Sequence, residues 1–141
     1  MVILSVDHGD VRTGVAVCDK FEMLASPVAV ITERHDDVLA EKLAALVREY
    51  KAEQIVMGLP KNMDGSSGFR AQAILDFVPL LEAAAGVPVA LRDERLSTVS
   101  AHKLLNATDT RGKKRKQTVD AVSAVLILED YLGARKRQIN N

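Results

Sequence analysis

The sequence predicts an α/β fold: a five-stranded mixed sheet, antiparallel across its first three strands, with helices on both faces. Three observations support this. Apolar, β-branched runs separated by short turns come first, the pattern of an antiparallel meander. Helical stretches then alternate with two short apolar runs, as in the crossovers that build parallel pairs. The final helical stretch is apolar on nearly every side, as a buried helix is. The 141 residues suit one domain, 1–141. Hydrophobic content of 48% is enough for a core, and with 4% aromatics and no Trp, Val, Leu, Ile and Ala must fill it.

Val2, Ile3, Leu4 and Val6 open the chain as a strand, and Asp7 stands where it should stop. Gly9 and Asp10 supply turn chemistry, and Gly14–Val17 is the return strand. Met23–Ile31 is the third strand, with Pro27 pointing to a sheet edge or a break. Asp36 or Asp37 caps a helix running to about Tyr50, with Leu39, Leu43, Leu46, Val47 and Tyr50 on one face. Gln54–Met57 is a short buried strand ended by Gly58-Leu59-Pro60, followed by the turn-rich KNMDGSSG loop. A second helix covers about Phe69–Ala85, with Ile74, Leu75, Val78 and Leu81 inward. Pro79 removes a hydrogen bond there, at about 3 kcal/mol, and predicts a kink or break near Phe77. Gly86 ends this helix, and Val87–Leu91 is the fifth strand. Ser97 or Thr98 caps a helix over Val99–Asn106. Asn106–Lys116 is expected as a polar, basic loop, and Thr118 as the start of the last helix, Val119–Leu132.

The formal net charge is zero, so no global field draws the chain to a polyanion. The single Cys18 excludes an intramolecular disulfide and a cysteine-based zinc site, and its apolar setting predicts an inert buried thiol. Asp7 and Asp10 interrupt the amino-terminal apolar run, so no signal peptide is expected, and no apolar stretch is long enough to span a bilayer. A reducing, cytoplasmic setting without membrane association is the expectation.

Three acids share one situation. Asp7 ends the first strand, Glu94 (or its neighbour Asp93) follows the fifth, and Asp120 lies in the first turn of the apolar last helix. Ligands of α/β sheets collect where loops leave the carboxyl ends of strands. Acids gathered there repel one another, and a divalent cation resolves the repulsion. Oxygen-only ligation suits Mg²⁺ or Mn²⁺, and two such ions about 4 Å apart can drive phosphodiester hydrolysis. Each acid also has a plainer role open to it. Asp7 can serve the turn, Glu94 can pair with Arg92 or Arg95, and Asp120 can complement the helix dipole.

The motifs around these acids are more specific. Asp7-His8-Gly9-Asp10-Val11-Arg12-Thr13-Gly14-Val15-Ala16 resembles the opening D-x-G-x-x-R-x-G-V-A of the YqgF/RuvX family of Holliday-junction-resolvase-like nucleases, linked to pre-16S rRNA maturation. Gly58-Leu59-Pro60-Lys61-Asn62-Met63-Asp64-Gly65 is similar to its G-L-P-x-N-x-D-G loop. Asp93-Glu94-Arg95-Leu96-Ser97-Thr98 is similar to its D-E-R-L-S-T, and Val119-Asp120-Ala121-Val122-Ser123-Ala124 to its V-D-x-x-A/S-A. The likeness runs in order from end to end. It implies an RNase H-like fold, a divalent-metal triad of Asp7, Glu94 and Asp120, and processing of the 5′ end of pre-16S rRNA, with the small ribosomal subunit precursor as a partner. His8 departs from the apolar or aromatic residue expected at its position.

Arg111–Lys116 holds five basic residues in six, so Lys113, Lys114, Arg115 and Lys116 are candidate phosphate contacts, as are Arg12, Lys61 and Arg95 in the motif loops. A solvated loop is the plainer reading of the run, and Arg12 and Arg95 can instead pair with Asp10 and Asp93. Arg135–Arg137 is expected after the last helix, complementing its dipole. His35 and His102 are expected at the surface without a role. With no aromatic platforms beside these charges, recognition by backbone and shape is expected. The leading function is a metal-dependent nuclease on structured RNA. The rivals are a junction resolvase cutting DNA, which would need a dimer, a sugar-kinase-like or actin-like phosphate site, and a non-catalytic nucleic-acid-binding assembly factor.

Overall fold

Alternation along the first strand sorts its side chains between two cores. In β1 (Ile3–Asp7), Leu4 and Val6 enter one apolar cluster and Ile3 enters another on the opposite face. The computed structural model describes residues 1–59, 69–93 and 112–140, with the backbone alone at 69, 93, 112–121 and 138–140. β1 lies at the centre of a five-stranded sheet of order β3-β2-β1-β4-β5. β2 (Arg12–Cys18) and β3 (Ala25–Thr32) extend it as the expected antiparallel meander. β4 (Gln54–Leu59) pairs parallel to β1, and β5 (Val89–Asp93) parallel to β4. Pro27 lies in β3, the edge strand, at a point where the register with β2 shifts between Val15 and Ala16. β5 begins and ends two residues later than expected, so Arg92 and Asp93 belong to the strand.

One face is covered by α1 (Asp36–Tyr50) and α2 (Phe69–Ala85). Leu39, Leu43 and Val47 of α1 and Ile74, Phe77 and Leu81 of α2 meet Leu4, Val6, Val15, Ile55 and Met57 of the sheet. The α1 cap is His35, in extended conformation and without a side-chain cap bond; Asp36 and Asp37 fall inside the first turn instead of capping it. There their charge still complements the helix dipole. Leu75 is a correction: it is 39% exposed, because the buried stripe runs through Ala71, Ile74, Phe77 and Leu81 and leaves position 75 on its flank. Tyr50, also expected inward, is exposed to the same degree at the last turn of α1. Of the expected kink or break near Phe77, the break is absent, since α2 runs unbroken from Phe69 to Ala85. Buried Phe77 and Leu81 on either side of Pro79 hold the turn it weakens. Gly86, at φ +73°, ends the helix as expected, its N–H donating to the Glu82 carbonyl at 2.9 Å.

The other face carries α3 (Gly112–Asn140), with Ala124, Ile127, Leu128 and Leu132 against Ile3, Ala16, Cys18 and Val56. Cys18 is buried as expected. The helix is longer than expected at both ends. Lys113, Lys114, Arg115 and Lys116 are helical and not part of a loop, because Lys, Arg and Gln are strong helix formers. Arg135–Arg137 also lies within the helix. Arg135 serves a tertiary contact instead of the dipole: its Nε and Nη2 reach the Glu22 carboxylate at 2.7 and 3.2 Å. The expected helix over Val99–Asn106 lies outside the described residues. Among those described, no helix is long and apolar enough to cross a membrane.

Glu22 is held below the usual carboxylate range, first by its hydrogen bond to Arg135 and then by the Met1 amino group at 3.0 Å. A depressed carboxylate pKa adds stability above the unfolded value of 4.5, and this is lost as pH falls through the folded value. Glu22→Gln is therefore expected to cost about 1 kcal/mol at neutral pH and much less at about pH 3. Urea unfolding of both proteins at the two pH values measures this; an equal cost at both would show that the charge is not what matters.

Candidate active site at the carboxyl ends of the central strands

β1, β4 and β5 run parallel, so their carboxyl ends share one edge of the sheet, and Asp7, Leu59 and Asp93 are their last residues. Asp7 is half-buried. The pleat puts it on the α3 face, two residues beyond Ser5, whose Oγ donates to the Ala124 carbonyl of α3 at 2.6 Å. Both cross-strand positions beside Asp7 are glycine. Gly14 is its partner in β2, and Gly58 follows Met57, the partner of Val6, in β4. Neither neighbour presents a side chain over the carboxylate.

The contacts of α3 fix its direction. Arg135 lies at Glu22 beside the amino end of β1, and the Tyr131 hydroxyl accepts from Gln54 Nε2 at the start of β4, at 2.8 Å. Ala124 lies at Ser5 in the middle of β1. The helix therefore runs antiparallel to β1, and its earlier turns advance toward Asp7. Position 120 is four residues before Ala124, a shift of about 6 Å along the helix. Asp7 is two residues past Ser5, about 6.6 Å along the strand. The backbone at position 120 is thus level with Asp7. On β5, Arg92 faces α3 as well: its Nε and Nη2 donate to Asp130 Oδ2 at 2.9 and 2.6 Å. Arg92 is thereby engaged by α3.

Glu94, Arg95 and Lys61 lie outside the described residues. Lys113, Lys114, Arg115 and Lys116 are placed by backbone alone, in the first turns of α3. Arg12 opens β2 at the end of the turn that follows Asp7. Among the described residues, no three His, Cys, Asp or Glu side chains gather to hold a metal.

The β1–β2 turn is built closely. A Cβ at Gly9 would lie 2.2 Å from the Arg12 carbonyl oxygen, so only glycine permits this path. His8, 8% exposed, packs its ring on Phe77 of α2, with centroids 4.8 Å apart, a contact worth about 1 kcal/mol. An aromatic ring thus does fill the position. Burial pushes the imidazole pKa down, against the opposing pull of Asp36, whose Oδ1 is 3.6 Å from His8 Nε2, beyond hydrogen-bond distance. The His8 carbonyl accepts from Arg70 Nη2 at 3.0 Å. Arg70 was not among the residues expected at the site. The hint in the sequence is a cation in the first turn of a helix, where the dipole disfavours it.

Gly9→Ala is expected to force the turn apart and lower stability by at least about 1 kcal/mol. Thermal unfolding tests this, and an unchanged midpoint would show that the turn can relax without cost.

Residues 1–134 match the RuvX family, described as Holliday junction resolvase. A protein of Halothermothrix orenii named "Putative pre-16S rRNA nuclease" is 42% identical over 97% of this chain and 98% of its own length. Proteins of the same name from Heliobacterium modesticaldum and Bacillus subtilis are 45% and 40% identical, over 96% and 94% of this chain and 91% and 97% of theirs. Among solved structures, Thermus thermophilus RuvC in complex with a Holliday junction substrate superposes with a TM-score of 0.63 at 14% identity, covering 97% of this chain and 96% of that one. The fowlpox virus Holliday junction resolvase superposes at 0.57 and 13% identity, over 96% and 99%. These two likenesses show the expected fold, that of the RuvC-like, RNase H-type resolvases.

Proposed function

This chain belongs to the RuvX family, and from that premise we propose that it is a nuclease that processes the 5′ end of pre-16S rRNA, with Asp7, Glu94 and Asp120 holding a divalent metal. One observation supports this reading above the others. Asp7 ends the central strand on the α3 face, between two glycines and level with position 120. Glycine on both sides lets a ligand approach the backbone closely beside this carboxylate. The antiparallel course of α3 supports Asp120 as a second acid of the site. Glu94 is taken as the third acid from the family motif Asp93-Glu94-Arg95-Leu96-Ser97-Thr98.

The donor set is oxygen only, which fits Mg²⁺ or Mn²⁺. Such an ion, when bound, supplies Lewis-acid chemistry to a phosphodiester. The protein's own residues position and exclude. The Ser5–Ala124 bond and the two apolar cores hold Asp7 and α3 in fixed register. Arg12 opens β2 after the turn that follows Asp7, Lys61 and Arg95 belong to the sequence motifs, and Lys113, Lys114, Arg115 and Lys116 begin α3. They supply positive charge for a nucleic-acid backbone, read by shape.

The family's description favours a second reading, cleavage of a DNA four-way junction at the same site. A single assay separates the two: end-labelled pre-16S leader RNA and a four-way junction, with Mg²⁺, with Mn²⁺ and with chelator. The expected result is metal-dependent cutting of the RNA. Asp7→Asn is expected to lower it by at least about 100-fold while leaving the unfolding midpoint unchanged. Cutting of the junction alone would transfer the site to the second reading, and full activity of Asp7→Asn would remove Asp7 from it.

A further inference from the structure

The β1–β2 turn and the first turn of α2 enclose a cleft of about 310 Å³ lined by Gly9, Asp10, Val11, Arg12 and Arg70. We propose that this cleft is a phosphate-binding subsite in which Arg70 grips the backbone of the bound nucleic acid one step from the strand end that carries Asp7. The subsite rests on the nucleic-acid reading above and adds to it a residue and a place.

Arg70 is exposed, and among the described residues no carboxylate pairs with it. Its bond to the His8 carbonyl, at 3.0 Å, uses one of five N–H donors. That bond anchors the guanidinium beside the turn: Nη2 is 3.7 Å from where a Gly9 Cβ would stand. The position is electrostatically unfavourable for a cation, since Arg70 is the second residue of α2 and the first turn of that helix holds no acid. An anion at this point would be favoured by the guanidinium, by the helix dipole and by the backbone of the glycine turn at once. Arg12 and Asp10 line the cleft beside Arg70. A phosphate, which takes the planar fork of arginine in a bidentate manner, suits this geometry. The nearness to Asp7 suits a phosphate of the same strand, because Arg70 holds the residue directly after it. The packing of His8 on Phe77 stiffens the arrangement by tying the turn to α2.

The test is equilibrium binding in chelator of two labelled probes, a structured RNA hairpin and a four-way DNA junction, across a range of KCl. Wild type is compared with Arg70→Gln and Arg70→Lys. Loss of one phosphate contact is expected to make the slope of log K against log salt shallower by about 0.7 to 0.9 in Arg70→Gln. Arg70→Lys is expected to keep the wild-type slope but bind several-fold more weakly, having lost the fork. A shallower slope with only one probe names the nucleic acid that the cleft holds. A weaker Arg70→Gln with unchanged slope would assign Arg70 a purely structural role and overturn the subsite. Identical binding by all three proteins would overturn it too, leaving the nuclease reading standing. Failure of wild type to bind either probe would overturn the subsite, while the nuclease reading is decided by the metal-dependent cleavage assay. If Arg70→Gln does not fold, Arg70→Ala takes its place in the slope comparison, with the same outcomes supporting or overturning the subsite.

Discussion

The structure depends on the pleat of β1. The strand is hydrogen-bonded on both sides, antiparallel to β2 and parallel to β4, so its register is doubly specified. Leu4 and Val6 go to the α1/α2 core, and Ile3 and Ser5 go to α3. A slip of one residue would send every one of these to the wrong face. The same alternation carries Asp7 to the α3 face at the edge of the sheet. The position of the leading candidate ligand is thus a by-product of burying four side chains, each contributing to stability independently of any ligand.

α3 is the second half of the constraint. It is tied to the sheet by polar contacts spread along its length: Ala124 to Ser5, Asp130 to Arg92, Tyr131 to Gln54 and Arg135 to Glu22. These contacts reach β1, β5, β4 and the β2–β3 turn. Between them lies an apolar stripe of Ala124, Ile127, Leu128 and Leu132. A helix held at so many levels cannot slide by a turn without breaking both kinds of contact. This is the property a divided metal site requires, because acids on separate elements serve together only when those elements hold a fixed register. The β1–β2 turn is held from the opposite side of the sheet, by Phe77 against His8 and Arg70 on the His8 carbonyl. The candidate site is therefore supported from both layers.

Local chemistry was legible where one residue decides one feature. Asp7 ends β1 because an apolar β-branched run gives way there to turn residues. Pro27 marks an edge strand because it cannot donate to a ladder on both sides. Gly86 ends α2 because its backbone takes positive φ. Readings that depended on the balance between competing terms went astray. The basic run Lys113–Lys116 looks like a solvated loop by charge, yet its helix propensity places it within α3. Pro79 predicts a break by its local cost, yet burial on both sides of it keeps α2 continuous. His8 looks out of place by polarity, yet its ring serves as the aromatic face that Phe77 packs against.

The sequence by itself determined the order of elements among the described residues, the five strands and the candidate acids, because periodicity, turn chemistry and motif spacing are local properties of the chain. Only the tertiary structure decided which residues meet. Ser5 bonds to a residue 119 positions away, Glu22 to one 113 away and Arg70 to one 62 away. No local pattern encodes such partners. They follow from the pairing of strands and the direction in which α3 crosses them, which is set by burying all the apolar faces at once.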